Sequence, residues 1–265
     1  MIIASLKGGL GNQMFQYALG RNLSIKLGAP LFLDIDSYES NPGRSFSLNR
    51  FPIAAEIAGT RQKKLCRRIS EKSFGFDADI VHAGDNIILD GYWQSEKYFL
   101  DISKIIRSDF ELKEKAPRID DIRRAIDESL SVSLHVRRGD YLSPKHAKVY
   151  VQCGADYFSR ALAKVGESIP GKIRIFVFSD DPDWVKAHIR LPSSAETVSG
   201  RGFSDSEELF LMSRCKHNII ANSSFSWWGA WLNPNPDKIV IAPRKWFVDP
   251  SKDERDLIPP SWITL

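Results

Sequence analysis

The chain has 265 residues, 43% hydrophobic and 26% charged, with 17 glycines and 14 prolines. That balance excludes an intrinsically disordered chain, which lacks the apolar surface to offset ordering entropy, and a collagenous or linker-dominated one. The net charge of +4 and isoelectric point of about 8.9 are too mild for a nucleic-acid footprint and suit a protein that holds a small anionic ligand.

Residues 2–6 are an apolar run without the basic segment of a signal peptide, and read as a first buried strand. The loop Lys7-Gly8-Gly9-Leu10-Gly11-Asn12 follows. Apolar residues then recur at helical spacing from Met14 to Leu27, with Gly28 and Pro30 as stop signals. A strand over 31–33, closed by Asp34, completes a βαβ unit. Residues 36–85 are rich in Ser, Asn, Arg and Lys, carry a basic stretch over 61–68 that reads as a solvated face, and show only weak helix. A strand is expected over 87–93 and helices over 95–107 and 118–129, and Pro117 with its charged surroundings marks a candidate boundary.

The second half repeats the alternation. A strand over 131–136 alternates on one face, a helix covers 155–165, and the run 173–178 fits a strand buried on both faces. A helix over 205–215 takes Asp205 as its N-cap; a strand over 218–221, a helix over 223–232 stopped by Pro234, and a strand over 238–242 follow. The expected fold is α/β, with two Rossmann-like domains, 1–128 and 129–265, whose parallel sheets face a cleft. No stretch approaches the roughly 18 consecutive apolar residues of a membrane span. Cys66, Cys153 and Cys215 show no disulfide spacing, so a reducing, cytoplasmic setting is expected.

Four constellations could carry chemistry. His135-Val136-Arg137-Arg138-Gly139-Asp140-Tyr141 stands at a predicted strand end, where paired guanidiniums can hold a phosphate or form a solvated turn with Asp140. The loop 8–13 is neither a Walker loop nor a full G-x-G-x-x-G. Its Gly9 and Gly11 still suit close approach to an anion at a helix start, or a tight structural turn. Asn222-Ser223-Ser224-Phe225 repeats the strand-to-helix placement, with a Trp227-Trp228 pair that also fits a core. Asp180 and Asp181 can accept hydrogen bonds from a ribose or a guanine edge, or cap a helix. Asp34-Ile35-Asp36 has the D-x-D spacing of some metal-dependent transferases, a pattern common by chance. The five histidines show no zinc spacing, and no hydrolase elbow is present.

Segments 8–17 (G-G-L-G-N-Q-M-F-Q-Y), 91–98 (G-Y-W-Q-S-E-K-Y), 135–141 (H-V-R-R-G-D-Y) and 222–232 (N-S-S-F-S-W-W-G-A-W-L) together resemble the bacterial α-1,2-fucosyltransferases of glycosyltransferase family 11. The resemblance implies a GT-B architecture with GDP-fucose held mainly by the second domain and the acceptor by the first. It also implies an inverting transfer of L-fucose to the 2-hydroxyl of a terminal galactose, with no metal and no cofactor. Animal members carry a membrane anchor. A chain without one fits a cytoplasmic bacterial enzyme making polysaccharide precursors, in peripheral membrane contact where the acceptor is lipid-linked.

Carried onto this chain, Arg137 meets the charge developing on the diphosphate, Asp140 acts beside it or braces an arginine, and Asn12 orients acceptor or fucose. Donor binding falls to His135, Arg137, Arg138, Gly9, Gly11, Asn12, Asp180, Asp181, Ser223, Ser224 and Phe225. The general base is unassigned, because the position that holds Glu in α-1,6 relatives is Lys145. Two rivals stand beside this expectation: transfer of fucose in another linkage or of another GDP-sugar, and an inert sugar-nucleotide or glycan-binding module.

Overall fold

In the computed structural model, which describes residues 1–40, 43–113 and 116–265, the opening apolar run forms β1 (Ile2–Ser5) and leads into α1 (Leu10–Leu27). α1 is covered on most sides: Phe15, Ala18 and Leu19 are buried, and so are the amides of Gln13 and Gln16. Then come β2 (Leu31–Asp34), α2 (Asp36–Glu39), β3 (Glu56–Ile57), α3 (Thr60–Lys64), β4 (Arg67–Ser70), β5 (Ile87–Asp90) and α4 (Ser103–Asp109). Every pairing among these strands is parallel, in the order β3-β2-β1-β5-β4.

The sequence expectation missed β3 and β4 inside 36–85. Both are short edge strands with mostly exposed side chains, so neither shows an apolar period, and each is set by pairing with its neighbour, β2 or β5. The expected strand over 87–93 ends at Asp90, because the chain turns through Gly91 and a left-handed Trp93 (φ 55°). The expected helix over 95–107 is two 3₁₀ turns before α4.

The second sheet begins after α5 (Asp120–Asp127). Its elements are β6 (Leu130–Val136), α6 (Pro144–Ala147), α7 (Ala155–Ser168), β7 (Ile173–Ser179), α8 (Pro182–His188), β8 (Glu196–Thr197), α9 (Asp205–Arg214), β9 (His217–Ile219), α10 (Ser224–Leu232), β10 (Val240–Ala242) and β11 (Ile263–Thr264). The order is β11-β10-β9-β6-β7-β8, again parallel throughout. Tyr157, Phe158, Ala161 and Val165 of α7 join Val132, Leu134, Val136, Ile175 and Val177 in one core. The alternation in β6 is not a wet face. Ser131, Ser133 and His135 are buried as well, with the Ser131 hydroxyl accepting from Lys216 N and the Ser133 hydroxyl from Asn218 Nδ2.

Two compact units result, Met1–Lys113 with Lys252–Pro259, and Glu114–Ser251 with Pro260–Leu265. The expected change of domain after residue 128 therefore falls earlier. Arg118 pairs with Glu207 at 2.6 Å and Asp127 with Arg214 at 3.0 Å, which ties the stretch around α5 to α9. The segment 252–259 returns to the first unit through Asp256, which accepts from Phe76 N and Lys97 Nζ. The cap of α9 is Ser204, not Asp205: its hydroxyl accepts from Glu207 N while the Glu207 carboxylate accepts from Ser204 N, a reciprocal capping box. Among the described residues no helix is long and apolar enough to cross a membrane.

Candidate active site

Parallel strands deliver successive chain segments to one edge of a sheet. Register does the rest at the second sheet: Val136 at the end of β6 pairs with Ser179 at the end of β7, so Arg137 and Asp180 leave their strands side by side. Arg137 Nη1 lies 2.8 Å from Asp180 Oδ2 and its Nη2 2.6 Å from Asp140 Oδ1. The other oxygen of Asp180 accepts from Arg138 N at 2.8 Å. A Cβ at position 139 would stand 2.6 Å from that same Asp180 carboxylate, so this turn takes glycine.

Arg138 points elsewhere. Its guanidinium carbon lies 4.0 Å from the Trp184 ring centroid and its Nε 3.3 Å from Asp181 Oδ2. Asp181 also caps α8, accepting from Trp184 N at 3.1 Å. Arg137 in turn has Tyr141 beside it, 5.7 Å from guanidinium carbon to ring centroid. Both guanidiniums are thus held by carboxylates and flanked by aromatic rings. Two cations face the three carboxylates of Asp140, Asp180 and Asp181. Two of the five N–H groups of Arg137 serve these pairs, and the fork keeps donors for a ligand.

His135 is buried, its ring 5.8 Å from that of Phe225. Burial, helped by the Arg137 charge, pushes it down to about 3, so the imidazole is neutral at ordinary pH, and its Nδ1 has no hydrogen-bond partner among the described residues. Asn222 is a strut: its Nδ2 donates to Val151 O and Trp246 O, and its carbonyl accepts from Tyr141 OH. Ser223 is the N-cap of α10 and makes no side-chain cap bond, and Ser224 and Phe225 open the helix half-buried. The first-turn N–H groups there favour an anion. Trp227 and Trp228 are core, stacked edge to face at 5.1 Å.

In the first unit, Gly8 has φ +82°, and a Cβ on it would meet Asn12 Nδ2 at 2.5 Å. Gly9 caps α1 through its backbone alone, and Gly11 is buried in the first turn. Gln13 donates to Gly8 O and Ser45 O and accepts from Ser47 N, while Asn12 Oδ1 accepts from Gln94 Nε2 at 2.8 Å. Asp34 and Asp36 both pair with Lys63 Nζ, at 2.7 and 2.6 Å. A divalent ion on that D-x-D would have to displace the ammonium.

The second unit therefore gathers Arg137, Arg138, Asp140, Asp180 and Asp181 at one strand edge, with His135 against Phe225 and Ser223 and Ser224 at the start of α10. Gly9, Gly11 and Asn12 belong to the loop of the first unit. Sequence reasoning missed Trp184 and the half-buried relay Ser179 N to Ser199 Oγ to Glu208, in which Ser199 and Glu208 sit on segments without a motif. Burial raises Glu208 to about 6.

Residues 71–265 match the family model of Glycosyl transferase family 11. The chain belongs to that family. This family 11 glycosyltransferase is 32% identical to the alpha-1,2-colitosyltransferase of Escherichia coli, over 100% of this chain and 99% of that protein. It is 34% identical to the O-antigen biosynthesis glycosyltransferase WbnK of Escherichia coli, over 98% and 99%. It is 27% identical to galactoside alpha-(1,2)-fucosyltransferase 1 of Aotus azarae, over 97% and 73%. Among solved structures, fucosyltransferase NodZ from Bradyrhizobium matches with a TM-score of 0.55 at 16% identity, over 86% of this chain and 91% of that one. NodZ alpha-1,6-fucosyltransferase soaked with GDP-fucose gives the same score. The fold is GT-B, built from two α/β units with parallel sheets.

Proposed function

We propose that this family 11 enzyme transfers L-fucose from GDP-β-L-fucose to the 2-hydroxyl of a terminal galactose, with inversion and without a metal ion. The observation that carries the reading is the Arg137 guanidinium, locked at the end of β6 by Asp140 and Asp180. In an inverting transfer the bond from C1 of fucose to the β-phosphate oxygen breaks through an oxocarbenium-like state, and negative charge grows on the departing GDP. Preorganised donors aimed at that charge contribute most when nothing has to move during the reaction. Arg137 is such a donor, and the N-terminus of α10 supplies backbone N–H groups of the same kind.

Asp140, bound at 2.6 Å to Arg137, serves that guanidinium rather than taking the acceptor's proton. The braced arginine pair also weighs against an inert binding module, which has no developing charge to stabilise. The galactoside alpha-(1,2)-fucosyltransferase relative supports the acceptor and linkage.

A second reading has its own support in the alpha-1,2-colitosyltransferase relative: the donor sugar is the 3-deoxy analogue of fucose. Linkage analysis of products from GDP-fucose and GDP-colitose with a panel of β-galactosides decides between them. An α-1,2 fucosyl product is expected, and a product only from GDP-colitose, or none from either donor, refutes the first reading.

A further inference from the structure

No residue of the segment 91–95 belongs to the cluster around Arg137, yet the first unit holds this segment with unusual care. Trp93 is a bulky residue in the left-handed region, at φ 55°. Such conformations persist only where the surroundings over-determine them, and they cluster at ligand sites. Here both oxygens of the Glu71 carboxylate clamp the turn, accepting from Tyr92 N at 2.7 Å and Trp93 N at 2.9 Å. The buried Gln16 amide donates to Gly91 O at 3.0 Å, and a Cβ at position 91 would lie 2.4 Å from Glu71 Cβ. A second observation is independent of the strain: the Trp93 indole N–H is buried and has no hydrogen-bond partner among the described residues.

The product of this construction is a fixed, half-buried Tyr92 ring at the carboxyl end of β5, beside the loop that leaves β1. The ring lies parallel to Phe74 at 6.5 Å, and Lys7 Nζ stands 5.1 Å from its centroid, tied to Asp90 at 2.9 Å. Two residues on, the Gln94 amide bonds Asn12, and Tyr38 OH reaches Gly8 O at 3.1 Å. A rigid aromatic face with amides and an ammonium nearby is a composition suited to a pyranose. The C–H face of the sugar packs on the ring, and its hydroxyls find donors and acceptors around it.

We infer that Tyr92, on its Glu71-clamped turn, is the platform on which the acceptor hexose lies, with Asn12 and Gln94 beside it to read sugar hydroxyls. This deepens the proposed function and rests on its reading of a galactoside as acceptor.

The test combines kinetics with direct binding. Tyr92→Ala is expected to raise the acceptor KM about tenfold or more while the donor KM moves less than twofold. Tyr92→Phe, which keeps the ring, should restore the wild-type acceptor KM, and thermal unfolding checks that both variants fold. Saturation-transfer NMR with methyl β-D-galactopyranoside, methyl β-D-glucopyranoside and methyl α-D-mannopyranoside, without donor, should give signals in wild type and Tyr92→Phe that vanish in Tyr92→Ala. If the wild type transfers to galactosides and Tyr92→Ala leaves the acceptor KM unchanged, or Tyr92→Phe fails as badly as Tyr92→Ala, the platform is overturned and the function stands. If the wild type transfers to no galactoside, the function falls, and the platform is judged by NMR alone: signals lost in Tyr92→Ala sustain it, and no signal in wild type overturns it.

Discussion

Asp180→Asn separates two roles that one carboxylate cannot fill at once. In the structure both oxygens are committed to the arginine loop, Oδ2 to Arg137 Nη1 and Oδ1 to Arg138 N, each at 2.8 Å. Asparagine keeps the shape and one acceptor, but it presents an NH₂ to the guanidinium and removes a charge. The pair is about a quarter exposed on each side, so its loss should cost about 1 kcal/mol of stability, not the several of a dry pair. Arg137 remains held by Asp140 on its other nitrogen, so kcat should fall by about tenfold, short of the roughly 10²–10³ for losing a preorganised donor.

Binding should move the other way. Removing one negative charge about 6 Å from a diphosphate charge is a gain of ~0.7 kcal/mol at the dielectric of water and up to ~2.8 kcal/mol at an effective dielectric of about 20. GDP, ADP and UDP should therefore all inhibit the variant about threefold or more tightly than wild type, while turnover drops. Product inhibition by the three nucleotides on both proteins is the assay. Weaker inhibition by GDP, with ADP and UDP unaffected, would show that Asp180 reads guanine, and would refute the bracing argument.

Arg137→Lys should lose roughly 10²–10³ in kcat with little change in melting temperature, because an ammonium cannot span Asp140 and Asp180 and still face a phosphate; near-full activity would mean the planar fork is not needed. Activity should persist in EDTA, and Asp34→Asn and Asp36→Asn should each retain turnover, since both carboxylates serve Lys63; loss in EDTA restored by Mn²⁺ or Mg²⁺ overturns this. Glu208, raised by burial from 4.5 to about 6, favours its neutral form in the fold, so its contribution to stability is full below about pH 4.5 and is lost as pH rises through 6. Glu208→Gln should remove about 2 kcal/mol of that dependence, and a melting-temperature difference from wild type that stays constant between pH 4.5 and 6.5 refutes it.

Much of this protein can be read along the chain. Local signals carry it: the apolar runs of β1 and β7, the glycine loop opening α1, and the Arg137-Arg138-Gly139 turn at a strand end all announce themselves within a few residues. The family resemblance rests on such contiguous blocks, and the match over residues 71–265 agrees with it. Tertiary structure alone decided what those blocks do to one another. β3 and β4 exist because neighbours pair with them, not because their own residues favour strands. The polar face of β6 looks wet in sequence and is dry in the fold, where Asn218 satisfies Ser133. The site shows the same limit: Asp180 and Asp181 are acidic residues after a strand wherever one reads them. Only the register of β6 against β7 puts Asp180 on Arg137, because that contact depends on strand alignment across more than forty residues of chain, which no local pattern encodes.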